Sequence, residues 1–446
     1  MRAEVFENLF LNGQNNPYLP NLDNEKLELD ASIINSEAVS SNIDNKKCAK
    51  LYNAFFKGQY RNLEQAFNYE KSFRVRTLPG VVSFEKKFYH LPTLFIALKV
   101  AKCITDKKKI IVNFTRKTNL SLLVSYLKQL GCSITDNKSF GDICVFRKSD
   151  SGANYYRKWF SVLHNKSLAV IGLAKVAFAP LKDFDCAILV DEINAEATSK
   201  SGKYNPENNN IAPRAASENK QLISISNLFL SSKSEIGKLL QEADEIKLSE
   251  NANLPNIINP REDGAADWVK NTRLPALAFS ALQSVSKKAP ALVIAPTKLG
   301  KKGVETTFQW FKRAFLDTDI LVSTRGEGRT LIKTVDKNPK IVISTLGADP
   351  APKEGWGVII ILDALDYLNF SNTVSKQIIN SWMSAISHIK MDIGKSDTEA
   401  PVFIIGSIPE TIIDDLKNWN TNLLDARDKL NASTLSDAFT QLREDI

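Results

Sequence analysis

Residues 170–192, VIGLAKVAFAPLKDFDCAILVDE, are the most informative stretch for the fold. They connect two apolar runs, 167–172 and 187–190, and the second run ends at the acidic pair Asp191 and Glu192. Short runs that are apolar at every position are typical of strands in parallel sheets, because helices cover both faces of such sheets. The stretch therefore predicts the centre of an α/β sheet.

On both sides of this stretch, strand patterns alternate with helix patterns of about ten residues. A polar loop at 195–220 interrupts the alternation, and a proline-containing segment at 250–264 interrupts it again. The alternation then restarts and continues to about residue 418. This order predicts two α/β units, each with a parallel sheet covered by helices on both faces.

The pattern divides the chain into six segments. They are a flexible acidic tail (1–45), a basic, aromatic-rich segment expected to be helical (46–90), a first α/β unit (91–247), a linker (248–272), a second α/β unit (273–432) and a C-terminal tail (433–446).

The positive charge is concentrated in one part of the chain. The 446 residues carry 58 basic and 50 acidic side chains, which gives a net charge of +8. Residues 1–45 carry a net −6, residues 46–117 a net +13, and the remaining residues a net +1. Cations neutralise phosphates, so the concentrated excess favours a nucleic-acid ligand. The many aromatic side chains of this segment are expected mainly in the core, although aromatic rings also stack on bases.

Several other classes of protein are excluded. With 43% hydrophobic and 24% charged residues, the chain has the composition of a globular protein. The five cysteines have no C-x-x-C spacing and the three histidines are isolated, so we expect no metal site and no catalytic nucleophile. No apolar run reaches the length of a membrane span, and the N-terminus lacks a signal-peptide pattern, which predicts a cytoplasmic protein.

An acidic pair after a strand is the arrangement with which motor ATPases hold Mg²⁺ and polarise water. Such a site also requires a glycine-rich phosphate loop, G-x-x-x-x-G-K-[ST], before the helix that starts near Leu94. The residues from His90 to Leu94 contain no glycine, and Pro92 removes one backbone donor. None of the Gly-Lys pairs elsewhere completes the motif. We therefore expect no ATP hydrolysis by the usual route.

Four stretches together resemble the primosomal replication-restart helicase family PriA. Within 170–192, the residues that keep the family pattern are Gly172, Phe178, Ala179, Pro180, Asp191 and Glu192, and those that depart from it are Leu173, Ala174, Ile193 and Asn194. The other three stretches, 303–315, 341–369 and 401–430, follow in the family's order.

This resemblance implies two RecA-like helicase lobes joined by a linker, and an ATP-dependent DNA helicase activity for the family. Three departures stand against that activity. The phosphate loop is missing, residues 387–395 (SHIKMDIGK) lack the family's arginine motif, and only 297–302 stand where the family has a zinc-binding insert. The resemblance therefore implies a degenerate, shortened member without ATP or zinc, in which Asp191 and Glu192 are a vestigial nucleotide and Mg²⁺ site. The family's N-terminal DNA-binding domain is expected to be absent or reduced to residues 1–45.

The expected function is helicase-inactive DNA binding in replication restart and primosome assembly at stalled forks. The partners are then forked or single-stranded DNA and other restart proteins, with no membrane. The candidate DNA contacts in the basic segment are Lys46, Lys47, Lys50, Lys57, Arg61, Arg74, Arg76, Lys86 and Lys87. The resemblance adds Arg116 and Lys117 after a strand end, and Lys175 in the position of the family's Gly-Thr-Arg-Ser turn.

Three alternatives remain open at this point. The first is an active 3′–5′ helicase with an atypical phosphate site, which DNA-stimulated ATP hydrolysis that is lost in Asp191→Asn would establish. The second is a protein scaffold of the restart machinery that does not touch DNA, with the 195–220 loop as a docking element. The third, a sugar-nucleotide enzyme on a two-unit α/β fold, has no supporting motif.

Overall fold

The structure is a computed structural model that describes residues 38–115, 119–136, 139–147, 150–195, 211–230, 234–260, 268–269, 272–286, 288–324, 340–368, 372–391 and 400–419. Residues 1–37 of the tail predicted at 1–45, and the tail predicted at 433–446, lie outside these residues. The strands, in chain order, are β1 Ala38–Val39, β2 Phe73–Arg76, β3 Val81–Phe84, β4 Lys87–His90, β5 Ile110–Phe114, β6 Phe140–Gly141, β7 Ile143–Phe146, β8 Ala169–Gly172, β9 Cys186–Val190, β10 Gln221–Ser226, β11 Asp244–Ile246, β12 Asn256–Ile258, β13 Trp268–Val269, β14 Leu274–Pro275, β15 Ala291–Ala295, β16 Asp319–Ser323, β17 Lys340–Thr345, β18 Val358–Ile361, β19 Lys390–Met391 and β20 Pro401–Ile404.

The α-helices are α1 Asn45–Phe55, α2 Leu91–Thr105, α3 Leu120–Gln129, α4 Gly152–Leu163, α5 Glu192–Ala195, α6 Ala212–Ser217, α7 Glu235–Leu239, α8 Ala276–Val285, α9 Val304–Ala314, α10 Ala364–Leu368, α11 Asn372–Ile386 and α12 Glu410–Lys417. Two 3-10 helices span Leu63–Phe67 and Ala174–Phe178. No helix in the described ranges combines the length and the apolar character that crossing a bilayer requires.

The chain folds into two compact units. The first contains the residues up to Arg76 together with Thr93–Ser226 and Ser232–Ser249. The second contains Thr77–Pro92, Asn227–Ser231 and the residues from Glu250 onward. The segment that links β2 to α2 therefore packs as part of the second unit.

The first unit is built on a seven-stranded sheet with the order β11-β2-β10-β9-β5-β8-β7. All of its strand pairs are parallel. Its central strands β5, β8 and β9 are buried along almost their whole length, as expected when helices cover both faces of a sheet.

The second unit has a six-stranded parallel sheet with the order β12-β20-β18-β15-β17-β16. The apolar side chains of its central strands pack with α8 and α9 in one core that includes Val293, Ile360, Phe311 and Phe403. Burying each such side chain contributes about 1.5–3 kcal/mol. The predicted fold class, two RecA-like lobes with parallel sheets and flanking helices, is confirmed.

The basic segment 46–90 is helical only in its first part. Helix α1 and the 3-10 helix Leu63–Phe67 agree with the prediction, but Phe73–Arg76 is a strand of the first sheet and 81–90 form a β-hairpin. The helical prediction is therefore wrong for 73–90, because alternating Arg and apolar residues in β2 follow the two-residue period of a strand. The predicted linker also contains β12, which pairs with β20, and the predicted 195–220 loop contains α6.

The segment before α1 is anchored to the first unit. Strand β1 pairs with β6, and the backbone N–H groups of Asn42 and Asp44 donate to the carbonyls of Gly131 and Leu130, each at 3.0 Å. The Asp44 side chain accepts from the Lys47 N–H at 2.9 Å and so caps α1. Gly131 has φ +87, and a Cβ there would lie 1.9 Å from the Asn42 oxygen. These contacts fix the start of α1.

Candidate functional site

The candidate nucleotide site lies at the carboxyl edge of the first sheet, where open α/β sheets bind ligands. Strand β2 ends at Arg76 and α2 begins at Leu91, so residues 77–90 stand where a phosphate loop would stand. Connections between such elements usually need only 2–6 residues. Here strands β3 and β4 form an antiparallel hairpin, and β19 extends it as a parallel third strand.

The first residue of α2 is hydrogen-bonded to this hairpin. The Leu91 N–H donates to the Gly80 carbonyl at 3.0 Å. The side chains of Leu91, Thr93 and Leu94 are buried, with exposed fractions of 2%, 1% and 0%. Phosphates bind to free N–H groups at a helix N-terminus, and here the first N–H is already bonded and Pro92, the second residue, has none.

The position of the family's arginine motif is partly described, since 392–395 lie outside the described residues. Its first part, Ser387–Met391, binds the hairpin. Gly80 and Val81 donate their backbone N–H groups to the carbonyls of Ser387 and Ile389, at 2.9 and 2.8 Å. Residues 387–391 and the hairpin are therefore bonded to each other within the second unit.

A pair of histidines stabilises the same junction. The rings of His90 and His388 stack with centroids 4.0 Å apart and planes 5° from parallel. Burial lowers the pKa of His388 to about 4, and burial and the neighbouring His388 lower the pKa of His90 well below its usual value. His90 Nε2 lies 3.2 Å from the hydroxyl oxygen of Ser387, and that hydroxyl is also 2.7 Å from the Ser384 carbonyl, to which it donates.

Asp191 caps a short helix. It follows β9 with a φ of +71, and its carboxylate accepts from the backbone N–H and the side-chain amide of Asn194. Asn194 is one of the residues that depart from the family pattern. The carboxylate that would hold Mg²⁺ in a motor ATPase therefore has a structural role at the start of α5.

Glu192 is buried and forms an ion pair with Arg74. Its side chain is 0% exposed, and that of Arg74 is 15% exposed. Arg74 Nη2 donates to Glu192 Oε2 at 3.2 Å, and Arg74 Nε lies 3.2 Å from Oε1 as an ionic contact rather than an aligned hydrogen bond. The guanidinium thus neutralises the carboxylate that would polarise water in a motor ATPase.

Two further arginines neutralise acidic side chains at sheet edges. Arg76, next but one to Arg74 on β2, donates through Nη2 to Glu245 Oε1 at 2.9 Å. In the second unit, Arg273 Nη1 donates to Asp363 Oδ2 at 2.5 Å, directly after β18. Burial raises the pKa of Asp363, and the charges of Arg273 and Lys302 oppose that rise.

Within the described residues, no group of three His, Cys, Asp or Glu side chains is arranged to hold a metal ion.

The cations of α1 form a separate surface. The helix buries Leu51 and Phe55. Successive residues are rotated by about 100°, so Lys46 and Lys50 lie on the opposite, exposed face. Lys57 and Arg61 continue along the exposed chain after the helix.

Sequence reasoning missed one member of this surface, Lys247. The Arg61 N–H donates to the Lys247 carbonyl at 3.0 Å, and the Lys247 side chain is exposed. No local pattern links two residues so far apart in the chain. We define Lys46, Lys50, Lys57, Arg61 and Lys247 as the α1 cation surface.

The other candidate cations lie elsewhere. The Lys47 ammonium donates to the Gln129 carbonyl at 2.9 Å, and Arg74 and Arg76 form the ion pairs already described. Lys86 and Lys87 are exposed at the end of the hairpin. The remaining candidates, Arg116, Lys117 and the side chain of Lys175, lie outside the described residues.

The aromatic side chains of the basic segment pack mainly against each other. Phe67 contacts Tyr52 and Phe95 edge to face, with ring centroids 5.6 and 5.7 Å apart, and Phe56 contacts Phe95 at 5.9 Å. This is the core role that was predicted for them.

No protein-family model matches the chain, and no curated protein matches it in sequence. Among solved structures, the chain is similar to S. cerevisiae Dbp5 bound to RNA and ADP BeF3, with 10% identity, a TM-score of 0.46, and coverage of 89% of this chain and 91% of that chain. It is also similar to the DUF1998 helicase MrfA bound to DNA, with 12% identity, a TM-score of 0.48, and coverage of 89% and 54%. For the Escherichia coli DEAH/RHA helicase HrpB, the identity is 11%, the TM-score 0.40, and the coverage 79% and 42%. The fold class follows from the strand order of the chain itself. Similarities with these scores say nothing about its activity.

Proposed function

We propose that this chain is a helicase-like protein that binds nucleic acid and does not hydrolyse ATP. The observation that carries the proposal is the hairpin at 77–90. It replaces the phosphate loop, and its Gly80 carbonyl accepts from the first N–H of α2. With the first N–H bonded and Pro92 without one, this helix start lacks the run of free N–H groups with which a phosphate is held.

The carboxylates of the edge support the same proposal. Hydrolysis of ATP needs one carboxylate on Mg²⁺ and another group that orients water. Asp191 accepts from Asn194, and Glu192 is paired with Arg74 in a buried contact. Freeing Glu192 for chemistry would leave a buried charge without its partner, which is costly.

The nucleic-acid part of the proposal rests on the α1 cation surface. It comprises five exposed cations of the first unit, four of them within the segment of net +13. The resemblance to PriA supplies the finer proposal. The ligand is then forked or single-stranded DNA, the role is replication restart and primosome assembly, and the protein partners are other restart proteins.

Salt dependence tests this interface. If the five cations neutralise phosphates, the slope of log affinity against log salt for duplex DNA is about −4 to −5. In the variant Lys46→Gln/Lys50→Gln/Lys57→Gln, the slope becomes shallower by about 2–3, because three counterion-releasing contacts are lost. Fluorescence anisotropy with a labelled DNA duplex across a salt series measures both slopes.

The matched control is Lys288→Gln/Lys353→Gln/Lys417→Gln, which removes three exposed lysines of the second unit and the same total charge. We expect the control to keep the wild-type slope. Equal slopes for the two variants would remove the α1 cation surface from the proposal. Wild-type binding weaker than micromolar at low salt, with no slope, would favour the protein scaffold instead.

A further inference from the structure

The end of the β3–β4 hairpin has no visible role in the core. Residues 81–82 and 89–90 are buried, whereas 83–88, defined here as the hairpin tip, are exposed or half-buried. The core requires only the buried part of this insertion. Burial in the core of the second unit therefore does not account for the residues of the tip.

The turn of the tip is unusual in its residues. Phe84 pairs with Lys87, so Glu85 and Lys86 form a two-residue turn, and both have positive φ, +48 and +64. Asn and Gly take this conformation at the lowest cost, and they dominate such turns. A turn with Glu and Lys at these positions has a strained backbone, and backbone strain of this kind clusters at functional positions.

The tip combines cations with aromatic rings. Lys86 and Lys87 are exposed, and neither has an ion-pair partner among the residues that the structure describes. Phe84 lies opposite Lys87, and Phe88 lies opposite Ser83, so each face of the tip carries one partly exposed ring. Rings stack on unpaired bases whatever their sequence, and cations neutralise the adjacent phosphates.

The base of the hairpin holds the tip rigidly. β19 pairs with β3, and the stacked pair of His90 and His388 lies at the end of β4. Gly80, at φ +113, packs so closely on Met391 that a Cβ would lie 2.3 Å from its sulfur. Because the base is rigid, the rings and cations lose little conformational entropy when a ligand binds.

We propose that the hairpin tip is a binding site for single-stranded nucleic acid, in which Phe84 and Phe88 stack on unpaired bases and Lys86 and Lys87 contact phosphates. This site rests on the proposed nucleic-acid binding and adds a preference for unpaired strands. Duplex DNA, whose bases are already stacked, gains only the contribution of the lysines.

Anisotropy titrations of the full chain with a labelled oligothymidine of about 20 nucleotides and a duplex of equal length test the site. Phe84→Leu/Phe88→Leu keeps apolar packing and removes the rings. We expect it to weaken oligothymidine binding by about 5- to 100-fold and duplex binding by less than about twofold. Lys86→Gln/Lys87→Gln should make the single-strand salt slope shallower by about 1.4, and Lys288→Gln/Lys417→Gln should leave it unchanged.

A single change at Lys86 separates binding from structure. Lys86→Gly relieves the positive φ, so we expect a higher Tm together with weaker oligothymidine binding. Unchanged oligothymidine binding in the tip variants, with binding reduced in the α1 cation variant, would overturn the tip site and leave the proposed function standing. Equal losses for both ligands together with a lower Tm in the leucine variant would show a structural role and also overturn it. Absence of binding by the wild type to either ligand would overturn the proposed function itself.

Discussion

Replacing Arg74 by methionine should destabilise the first unit by about 3–5 kcal/mol, because it leaves the buried Glu192 carboxylate without its partner. The pair is well shielded from solvent, with Glu192 at 0% and Arg74 at 15% exposure, so solvent does not compensate the loss. Urea unfolding followed by circular dichroism should show this as a lower midpoint of the transition that belongs to the first unit.

The double variant Arg74→Met/Glu192→Met completes the test. Removing both charges should recover most of the lost stability, since an apolar pair of similar size avoids the desolvation of two ions. The control Lys71→Met breaks an exposed pair with Asp244, whose side chains are 72% and 59% exposed, and it should change stability by less than about 1 kcal/mol. If Arg74→Met behaves like this control, Glu192 is not held by Arg74.

Lowering the pH from 7 to 5 should destabilise the second unit through His90 and His388. Both pKa values lie below the usual 6.5 in the folded chain, His388 at about 4. The unfolded chain therefore binds more protons as the pH falls. The stabilising effect is complete above pH 6.5 and is lost as the pH falls from 6.5 toward 4. At pH 5 His388 accounts for a loss of about 2 kcal/mol, and His90 adds a loss of the same sign.

His388→Phe keeps an aromatic ring over His90 and removes one titrating group. We expect this variant to lose less stability than the wild type over the same pH range, by about the 2 kcal/mol that His388 contributes. His164, which is isolated and lies on another part of the chain, provides the control variant His164→Phe. Wild-type pH dependence in His388→Phe would contradict the assignment to the stacked pair.

The α/β architecture could be predicted because its signals are local. The run at 167–172 contains β8, and the run at 187–190 is β9 with one residue added. Apolar runs of this length can be buried on both faces only in a covered sheet, so pattern alone identifies them.

The hairpin could not be predicted from the sequence, because neither its turn nor its partner strand has a local sequence signal. Its turn uses Glu85 and Lys86 in place of the Asn-Gly signal that identifies two-residue turns. Its β3 strand pairs with β19, about 300 residues further along the chain, and no local pattern specifies that partner. The absence of a phosphate loop was visible in the sequence, but the element that replaces it was not.

The sequence predicted where the acidic residues of the candidate site lie, but not which side chains they contact. Asp191 and Glu192 do lie at the carboxyl end of a central strand. The partnership of Glu192 with Arg74 joins residues 118 apart in sequence, and Arg74 itself was expected to contact DNA. Positive charge in a sequence does not distinguish a guanidinium that faces solvent from one that neutralises a buried carboxylate.

We propose that the chain binds nucleic acid without using ATP, because a hairpin at 77–90 stands in place of the phosphate loop. Isothermal titration of Mg²⁺-ATP into the full chain, in the presence and absence of fork DNA, tests it most directly. We expect no binding up to about 1 mM nucleotide, that is, a binding free energy weaker than about −4 kcal/mol, while the same preparation binds fork DNA with a steep dependence on salt. Binding of Mg²⁺-ATP in the micromolar range that is lost in Asp191→Asn would contradict the claim and establish an atypical ATPase.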